Sequence, residues 1–251
     1  MLPRPGLQRR LMDSERVPTR KRGAQLKEEF ASVMARAKVQ RFSGAVHRRG
    51  SPHRHELKYR RLSRSELPVD TVELAQYLIG KTLVHDVESG RRSGRIVETE
   101  AYVVGDAAAH AFRGMTPRNR SLFLERGHAY VYFCYGCWFM LNVSGETEGI
   151  GAGVLFRALE PLESPEPIPD DKRRFDLARG PGRLARWMQV DRRHDGLDLC
   201  GDGPLWLATA VRPAAAIGES VRIGITREAH RVLRFYEKGS PFVSGSKRMR
   251  E

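Results

Sequence analysis

Two carboxylates and a tyrosine alternate in the segment RIVETEAY, residues 95–102. In an extended strand Glu98, Glu100 and Tyr102 face one side, and the intervening residues face the other: Val97, Thr99 and Ala101. A carboxylate in a partly dry cleft beside an aromatic ring can act as a general base. The same alternation is typical of the solvated face of an edge strand. The segment alone therefore leaves both interpretations open.

An aromatic cluster lies further along the chain, in YVYFCYGCWF, residues 130–139. The pattern predicts two strands that meet near Gly136. Tyr130 and Tyr132 then share a strand face, where their rings could stack on both faces of an extruded base. Tyr135 at the tip suits a wedge inserted between base steps from the minor groove. Core packing is the alternative for most of these rings.

Arginines accompany two predicted turns. In TPRNRSLF, Arg118 and Arg120 flank Asn119 at a predicted helix start, and ARGPGRLAR (residues 178–186) is a second turn of this kind. Helix N-termini and guanidinium groups bind phosphate, although a solvated surface cluster is an equal alternative. Neither segment has the pattern of a nucleotide P-loop or a dinucleotide-binding turn.

Cys134 and Cys137 form a CxxC, a spacing shared by redox pairs and zinc sites. Their neighbours are apolar and aromatic, and neither a second CxxC nor clustered histidines follow. We therefore predict that both are core thiols, and that the protein holds no metal and no cofactor. Three cysteines make no disulfide framework and favour a reducing compartment.

The elements around these residues predict an α+β fold. Asp70 and Glu73 have capping-box spacing, and apolar residues recur at helical intervals until Gly80. Strand patterns occupy residues 81–87, 93–104, 129–145, 151–162, 204–210, 220–227 and 232–238, and short helices are predicted near 116–125 and 178–190. Because the helices do not alternate with the strands, we expect one compact domain with a curved, mostly antiparallel sheet, flanking short helices and a protruding β-hairpin.

The charge is concentrated at the N-terminus. Residues 1–61 contain 17 lysines and arginines against 5 acidic residues, a net charge of +12, whereas the remainder carries only +2. We predict a basic, disordered arm over residues 1–62 and a folded domain over 63–251. A polyanion such as nucleic acid is one partner for this arm, and a solvated tail or a misjudged start codon is the alternative. No stretch approaches the roughly 20 apolar residues of a membrane span, so no membrane partner is predicted.

Seven segments resemble, in order, the alkyladenine (3-methyladenine) DNA glycosylase family. They are GRIVETEAY, the AxxH-type segment of residues 107–110, TPRNR, YVYFCYGCWFMLN, GVLFRALEP, ARGPGRL and LRFYEKGSPFVS, and they cover about residues 66–244. The resemblance implies that residues 63–251 form a DNA glycosylase catalytic domain. It covers none of the chain before residue 62.

The resemblance implies roles in chemistry and DNA contact. Glu100 matches the general base that activates water, and Arg157 matches the arginine that helps to hold that water. Tyr135 matches the residue that intercalates through the minor groove. Arg118 and Arg120 lie where the family contacts DNA phosphates.

It implies a base-binding set as well. Tyr102 and Tyr132 match the aromatic partners of the flipped base, and His110 matches the histidine on its opposite side. Asn142 matches the asparagine that disfavours the amino group of normal guanine. Cys137–Trp138 departs from the family's usual methionine followed by an aromatic or histidine.

The implied activity is monofunctional excision of alkylated or deaminated purines from double-stranded DNA by a monomer. No lysine lies within ETEAY, so we predict neither a Schiff base nor strand cleavage, and Glu98 is predicted to be structural. Such an enzyme would act in the bacterial cytoplasm at the nucleoid, or in a eukaryotic nucleus. Two alternatives are a non-catalytic damaged-DNA-binding module and an RNA-binding or nucleoside-processing enzyme.

Overall fold

The structure, a computed structural model, describes residues 59–134 and 136–245. Residues 1–58, Tyr135 and residues 246–251 lie outside this described part. Most of the predicted basic arm and the predicted intercalating residue are therefore outside it.

Eight antiparallel strands form one curled sheet. The strands are β1 (Thr82–Val87), β2 (Gly90–Tyr102), β3 (Ala129–Cys134), β4 (Trp138–Ser144), β5 (Gly153–Glu163), β6 (Leu205–Ala208), β7 (Ile217–Val221) and β8 (Val232–Glu237). Their order is β3-β4-β5-β2-β1-β6, while β8 pairs with β2 and β7 pairs with β8. Together with two short α-helices, this sheet confirms the predicted α+β class.

The two helices close one face of the sheet. Helix α1 spans Thr71–Leu78, and the carboxylate of Asp70 caps it by accepting hydrogen bonds from two backbone N–H groups, as the sequence predicted. The Thr99 hydroxyl of β2 donates to the carbonyl of Ala75 in α1 at 2.9 Å. Helix α2 spans Pro181–Trp187 and packs on β4 and β5. The main apolar core lies between these helices and the sheet.

Strand β2 is central, which excludes the edge-strand interpretation of RIVETEAY. It pairs with β5 on one side, and with β1 and then β8 on the other. Glu98 and Glu100 are both completely buried. Buried carboxylates require charged or hydrogen-bonding partners, so their surroundings decide what they do.

A bulge in β2 changes which side Val97 faces. The register between β2 and β5 shifts at this residue, and Val97 packs with Tyr236, the register partner of Glu98. The prediction that Val97 shares a face with Thr99 and Ala101 is therefore wrong. The physical reason is the extra residue of the bulge, which breaks strict alternation at that point.

The strand predicted at residues 220–227 is displaced towards the N-terminus. β7 ends at Val221, and the chain beyond it leaves the sheet. Arg222 donates instead to the carbonyl of Ala101 at the end of β2, at 3.0 Å. The Ile223 N–H donates to the Glu100 carboxylate at 2.7 Å. The Arg222 side chain and the Ile223 N–H thus form hydrogen bonds that are not part of the backbone pairing between strands. The residue pattern could not reveal these partners.

Residues 59–62 pack on the edge of β6, although the sequence assigned them to the arm. The Leu62 N–H donates to the carbonyl of Leu207 at 2.9 Å, and the Thr209 N–H donates to that of Arg60 at 2.9 Å. Leu62 is buried in the main core. These four residues therefore belong with the folded domain.

Candidate active site

The Glu100 carboxylate is held from three directions. Its Oε1 accepts from the Ile223 N–H at 2.7 Å and lies 2.9 Å from Nη1 of Arg157. Its Oε2 accepts from the Tyr102 hydroxyl at 3.0 Å. With both oxygens engaged and no exposure, the carboxylate has one fixed orientation. Such orientation is what a general base requires.

Arg157 bridges the two carboxylates of β2. Its Nε donates to Glu98 Oε1 at 2.9 Å, while Nη1 contacts Glu100 and Nη2 donates to the Ser244 hydroxyl at 3.2 Å. Burial lowers the pKa of Arg157 because it disfavours the charged guanidinium. The negative charges of Glu100 and Glu98 outweigh burial, so the pKa of Arg157 is raised. The guanidinium therefore keeps its charge and fixes Glu100 relative to its neighbour.

Glu98 anchors this network without facing the cavity. It accepts from Nε of Arg234 at 2.7 Å and from the backbone N–H of Ser244 at 2.6 Å, in addition to Arg157. Burial raises its pKa, but Arg157 and Arg234 outweigh that effect, so the pKa of Glu98 lies below its usual value. These contacts support the predicted structural role of Glu98.

An open cavity of about 180 Å³ brings the four predicted base-binding residues together: Tyr102, His110, Tyr132 and Asn142. The ring centroids of His110 and Tyr132 are 4.5 Å apart, and Asn142 Nδ2 donates to the Tyr130 carbonyl at 3.2 Å. Glu100 lies behind the wall of the cavity. Tyr102 connects the two, because it lines the cavity and its hydroxyl donates to Glu100.

The titration of two cavity residues follows from their burial. Burial lowers the pKa of His110 below its ordinary value, and the Arg118 guanidinium adds to this. Burial raises the pKa of Tyr130 to about 12, with a further contribution from Asp195. The Tyr130 hydroxyl lies 2.9 Å from His110 Nδ1. At neutral pH the cavity thus presents an uncharged imidazole and uncharged phenols.

Comparison with known proteins identifies the family. A family model described as methylpurine-DNA glycosylase matches residues 65–241. The chain belongs to the methylpurine-DNA glycosylase family. A protein of Mesorhizobium japonicum is 63% identical over 193 residues, which cover 76% of this chain and 93% of that protein.

Two further relatives come from Paraburkholderia phytofirmans and Chlorobaculum tepidum. The first is 51% identical over 200 residues, 78% of this chain and 93% of its own length. The second is 43% identical over 191 residues, 74% of this chain and 91% of its own length. All three relatives carry the provisional name 3-methyladenine DNA glycosylase. The family and these relatives therefore assign DNA glycosylase activity to this chain.

In this methylpurine-DNA glycosylase, Asn119 organises the loop that carries His110. Its Nδ2 donates to the carbonyls of His110 at 2.9 Å and Gly114 at 3.1 Å, and its Oδ1 accepts from the backbone N–H and hydroxyl of Thr116. The helix predicted at 116–125 is reduced to a 3₁₀ turn at Arg120–Phe123. The sequence singled out the flanking arginines and missed this role of Asn119.

The predicted phosphate ligands Arg118 and Arg120 are both exposed. Among residues 59–134 and 136–245, neither has an ion pair or a hydrogen bond. Leu122, two residues further on, lines the cavity. Exposed, uncompensated guanidinium groups near the cavity are suited to phosphate contact, and that role stays a prediction.

The prediction that Cys134 and Cys137 are core thiols is wrong. Cys134 is partly buried and lines the cavity, and Cys137 is exposed. The reason is position: both lie where the β3–β4 hairpin reverses, beyond the part of the strands that the core covers.

In the described part of the chain, no group of three potential metal ligands occurs and no helix is long and apolar enough to cross a membrane.

Three residues of the site escaped the sequence analysis: Asp106, Arg222 and Ile223. The Arg222 side chain and Asp106 form a fully buried ion pair. They are 116 residues apart in the chain, and neither lies in a motif that spacing rules detect. Only the path of the chain after β7 brings them to the active site.

Proposed function

We propose that this glycosylase flips alkylated or deaminated purines, such as 3-methyladenine, out of duplex DNA and hydrolyses the N-glycosidic bond. Glu100 takes a proton from the attacking water, whose oxygen bonds to the sugar carbon. The base departs with the bonding electrons and an abasic site remains. The reaction needs no covalent enzyme intermediate.

One observation carries this proposal. A buried carboxylate, Glu100, is oriented by Arg157 and the Ile223 N–H, and Tyr102 links it to an aromatic cavity. Tyr102, His110 and Tyr132 offer π-faces to a flipped base. Each tyrosine ring would stabilise a cationic alkylpurine by about 0.5–2 kcal/mol when desolvated. A water molecule beside Glu100 would donate a hydrogen bond to Oε2, which also accepts from the Tyr102 hydroxyl.

The charge development of the reaction fits these groups. An alkylated purine that carries positive charge leaves readily, so the barrier lies mainly in the sugar, which develops oxocarbenium character. A fixed carboxylate nearby stabilises that charge while it deprotonates water. Flipping costs a few kcal/mol and costs least for weakly paired damaged bases, which favours lesions over normal bases.

Single-turnover excision from duplexes containing 3-methyladenine, 7-methylguanine, hypoxanthine or ethenoadenine tests the proposal. Glu100→Gln should slow excision by about 10²–10⁴-fold, the usual contribution of a general base, and should retain affinity for the duplex. Glu163→Gln, which removes a carboxylate from the far end of β5, should excise at the wild-type rate. Borohydride should trap no covalent adduct.

Two results would overturn parts of this proposal. If Glu100→Gln releases base at the wild-type rate, Glu100 is not the base. If the wild-type protein binds damaged duplexes and excises none of the four lesions, the chain is a non-catalytic damaged-DNA-binding module. Equal activity on free nucleosides and duplexes would favour a nucleoside-processing enzyme.

A further inference from the structure

A buried ion pair behind the cavity joins two segments that lie outside the sheet. Asp106 follows the end of β2, and Arg222 follows the end of β7. Both side chains are completely buried. Nη2 of Arg222 lies 3.1 Å from Asp106 Oδ1, Nη1 contacts Oδ2, and Nη1 also donates to the Ala101 carbonyl at 3.0 Å.

The pair contacts groups on each side of the active site. The residue after Arg222 is Ile223, whose N–H donates to Glu100. Asp106 Oδ1 also accepts from the Ala108 N–H at 2.9 Å, at the start of the loop that lines the cavity up to Ala111. The ion pair therefore fixes both the segment over Glu100 and the loop that carries His110.

The Arg222 guanidinium also lies against Tyr102. Its Cζ is 4.6 Å from the centroid of the Tyr102 ring, and Tyr102 is one of the residues that line the cavity. The Arg222 Nε has no hydrogen-bond acceptor in the described part of the chain. Asp106 is the only acidic side chain that forms an ion pair with this cation among the described residues.

We propose that Asp106 and Arg222 form a positioning pair, and that Asp106 sets the preference of the site for cationic bases. The proposal rests on the proposed function, in which the flipped base stacks on Tyr102. With Asp106 present, the charge behind the ring is neutralised and a cationic base can stack there. Without it, the permanent charge of Arg222 repels a cationic base across the ring and leaves a neutral base much less affected.

Asp106→Asn tests this idea, because it removes the negative charge and keeps the size of the side chain. Single-turnover excision and affinity are measured on duplexes with 7-methylguanine, which is cationic, and hypoxanthine, which is neutral. We expect Asp106→Asn to lower both affinity and rate for 7-methylguanine by about thirtyfold more than for hypoxanthine, the size expected from Coulomb's law for two charges about 8 Å apart at an effective dielectric constant of about 20.

Two further variants separate charge from packing. The double variant Asp106→Asn/Arg222→Gln removes both charges, so it should return the ratio between the two lesions to the wild-type value while slowing both. Glu237→Gln breaks another buried ion pair, with Arg95, and should lower the thermal midpoint without changing the ratio. These variants keep the test decisive if Asp106→Asn folds poorly.

The outcomes distinguish this inference from the proposed function. If the wild-type protein excises both lesions and Asp106→Asn leaves their ratio unchanged, the specificity role of Asp106 is wrong and the proposed function stands. A double variant with the same altered ratio as Asp106→Asn would also overturn it. If excision of one lesion is too slow to measure, the ratio of the affinities for the two lesion-containing duplexes tests the specificity role of Asp106 instead. If the wild-type protein excises neither lesion, the proposed function itself fails.

Discussion

At the scale of single residues, the Glu100 carboxylate depends on donors from three parts of the chain. Tyr102 belongs to the same strand, Arg157 belongs to β5, and Ile223 lies beyond β7. A buried carboxylate without such partners would be strongly destabilising. The same hydrogen bonds that make its burial possible also fix its direction relative to the cavity.

Binding of a cationic lesion should depend on pH through His110. Burial lowers the pKa of His110 below about 6.5, the usual pKa of histidine. Its imidazole is therefore uncharged above about pH 6.5. Protonation at lower pH would place a second positive charge beside the base. We expect the affinity of Glu100→Gln for a 7-methylguanine duplex to be constant from about pH 8 to 6.5 and to fall in more acidic buffer.

A matched variant controls for other titrating groups. Adding His110→Gln to Glu100→Gln should remove the fall in affinity at acidic pH, because glutamine does not titrate. An affinity that declines already above pH 6.5, or an acidic decline that persists without His110, would contradict the prediction. Equilibrium binding over this pH range makes the measurement.

At the scale of elements, the loop between β2 and the 3₁₀ turn at Arg120–Phe123 has no regular structure, yet it carries one wall of the cavity. Its shape comes from side-chain hydrogen bonds rather than from a helix or a ladder. Asp106 holds its beginning and Asn119 holds its end. The position of His110 therefore depends on two polar residues outside the cavity.

Asn119→Ala should disturb this loop and lower the discrimination between damaged and undamaged DNA. The change removes four hydrogen bonds that link Asn119 to His110, Gly114 and Thr116, which we expect to lower the free energy of unfolding by about 1–3 kcal/mol. Binding to lesion-containing and undamaged duplexes, with urea unfolding in parallel, makes the measurement. The ratio of the two affinities should fall.

Thr116→Val is the matched control, since it removes one of those four bonds and keeps the hydrogen bond to the His110 carbonyl. Its ratio of affinities should stay near that of the wild-type protein. If Asn119→Ala is destabilised but discriminates as well as the control, Asn119 supports the fold without positioning His110.

At the scale of the whole molecule, charge divides unevenly between the arm and the domain. The net charge of +12 in residues 1–61 contrasts with +2 in the rest. Residues 59–62 belong to the fold at the edge of β6, so a truncation should end before Tyr59. We propose that the arm tethers the protein to DNA without sequence preference.

Deletion of residues 2–57 should flatten the salt dependence of DNA binding and spare excision. Each phosphate that the arm neutralises adds about 0.9 to the slope of log affinity against log salt for duplex DNA, so removing the arm should make this slope shallower. Affinity for undamaged duplex at several salt concentrations gives the slope, and saturating single-turnover kinetics give the excision rate. An unchanged slope would show that the arm does not bind DNA, and a loss of excision would assign it a role in chemistry.

Local sequence determined much of this protein. The alternation of Glu98, Glu100 and Tyr102, the Asp70 cap and the aromatic hairpin depend on neighbours within a few residues, and all three appear in the structure. The α+β class followed from the order of those elements. The family resemblance of the local motifs also nominated four of the residues that line the cavity.

Tertiary structure decided what depends on distant partners. Whether Glu100 was a solvated or a buried carboxylate depended on the strands on both sides of β2. The bulge at Val97, the exposure of Cys137 and the pairing of Arg222 with Asp106 arise from sheet register and from the path of the chain. These interactions join residues far apart in sequence. Neither periodicity nor motif spacing encodes which distant groups will satisfy a buried charge.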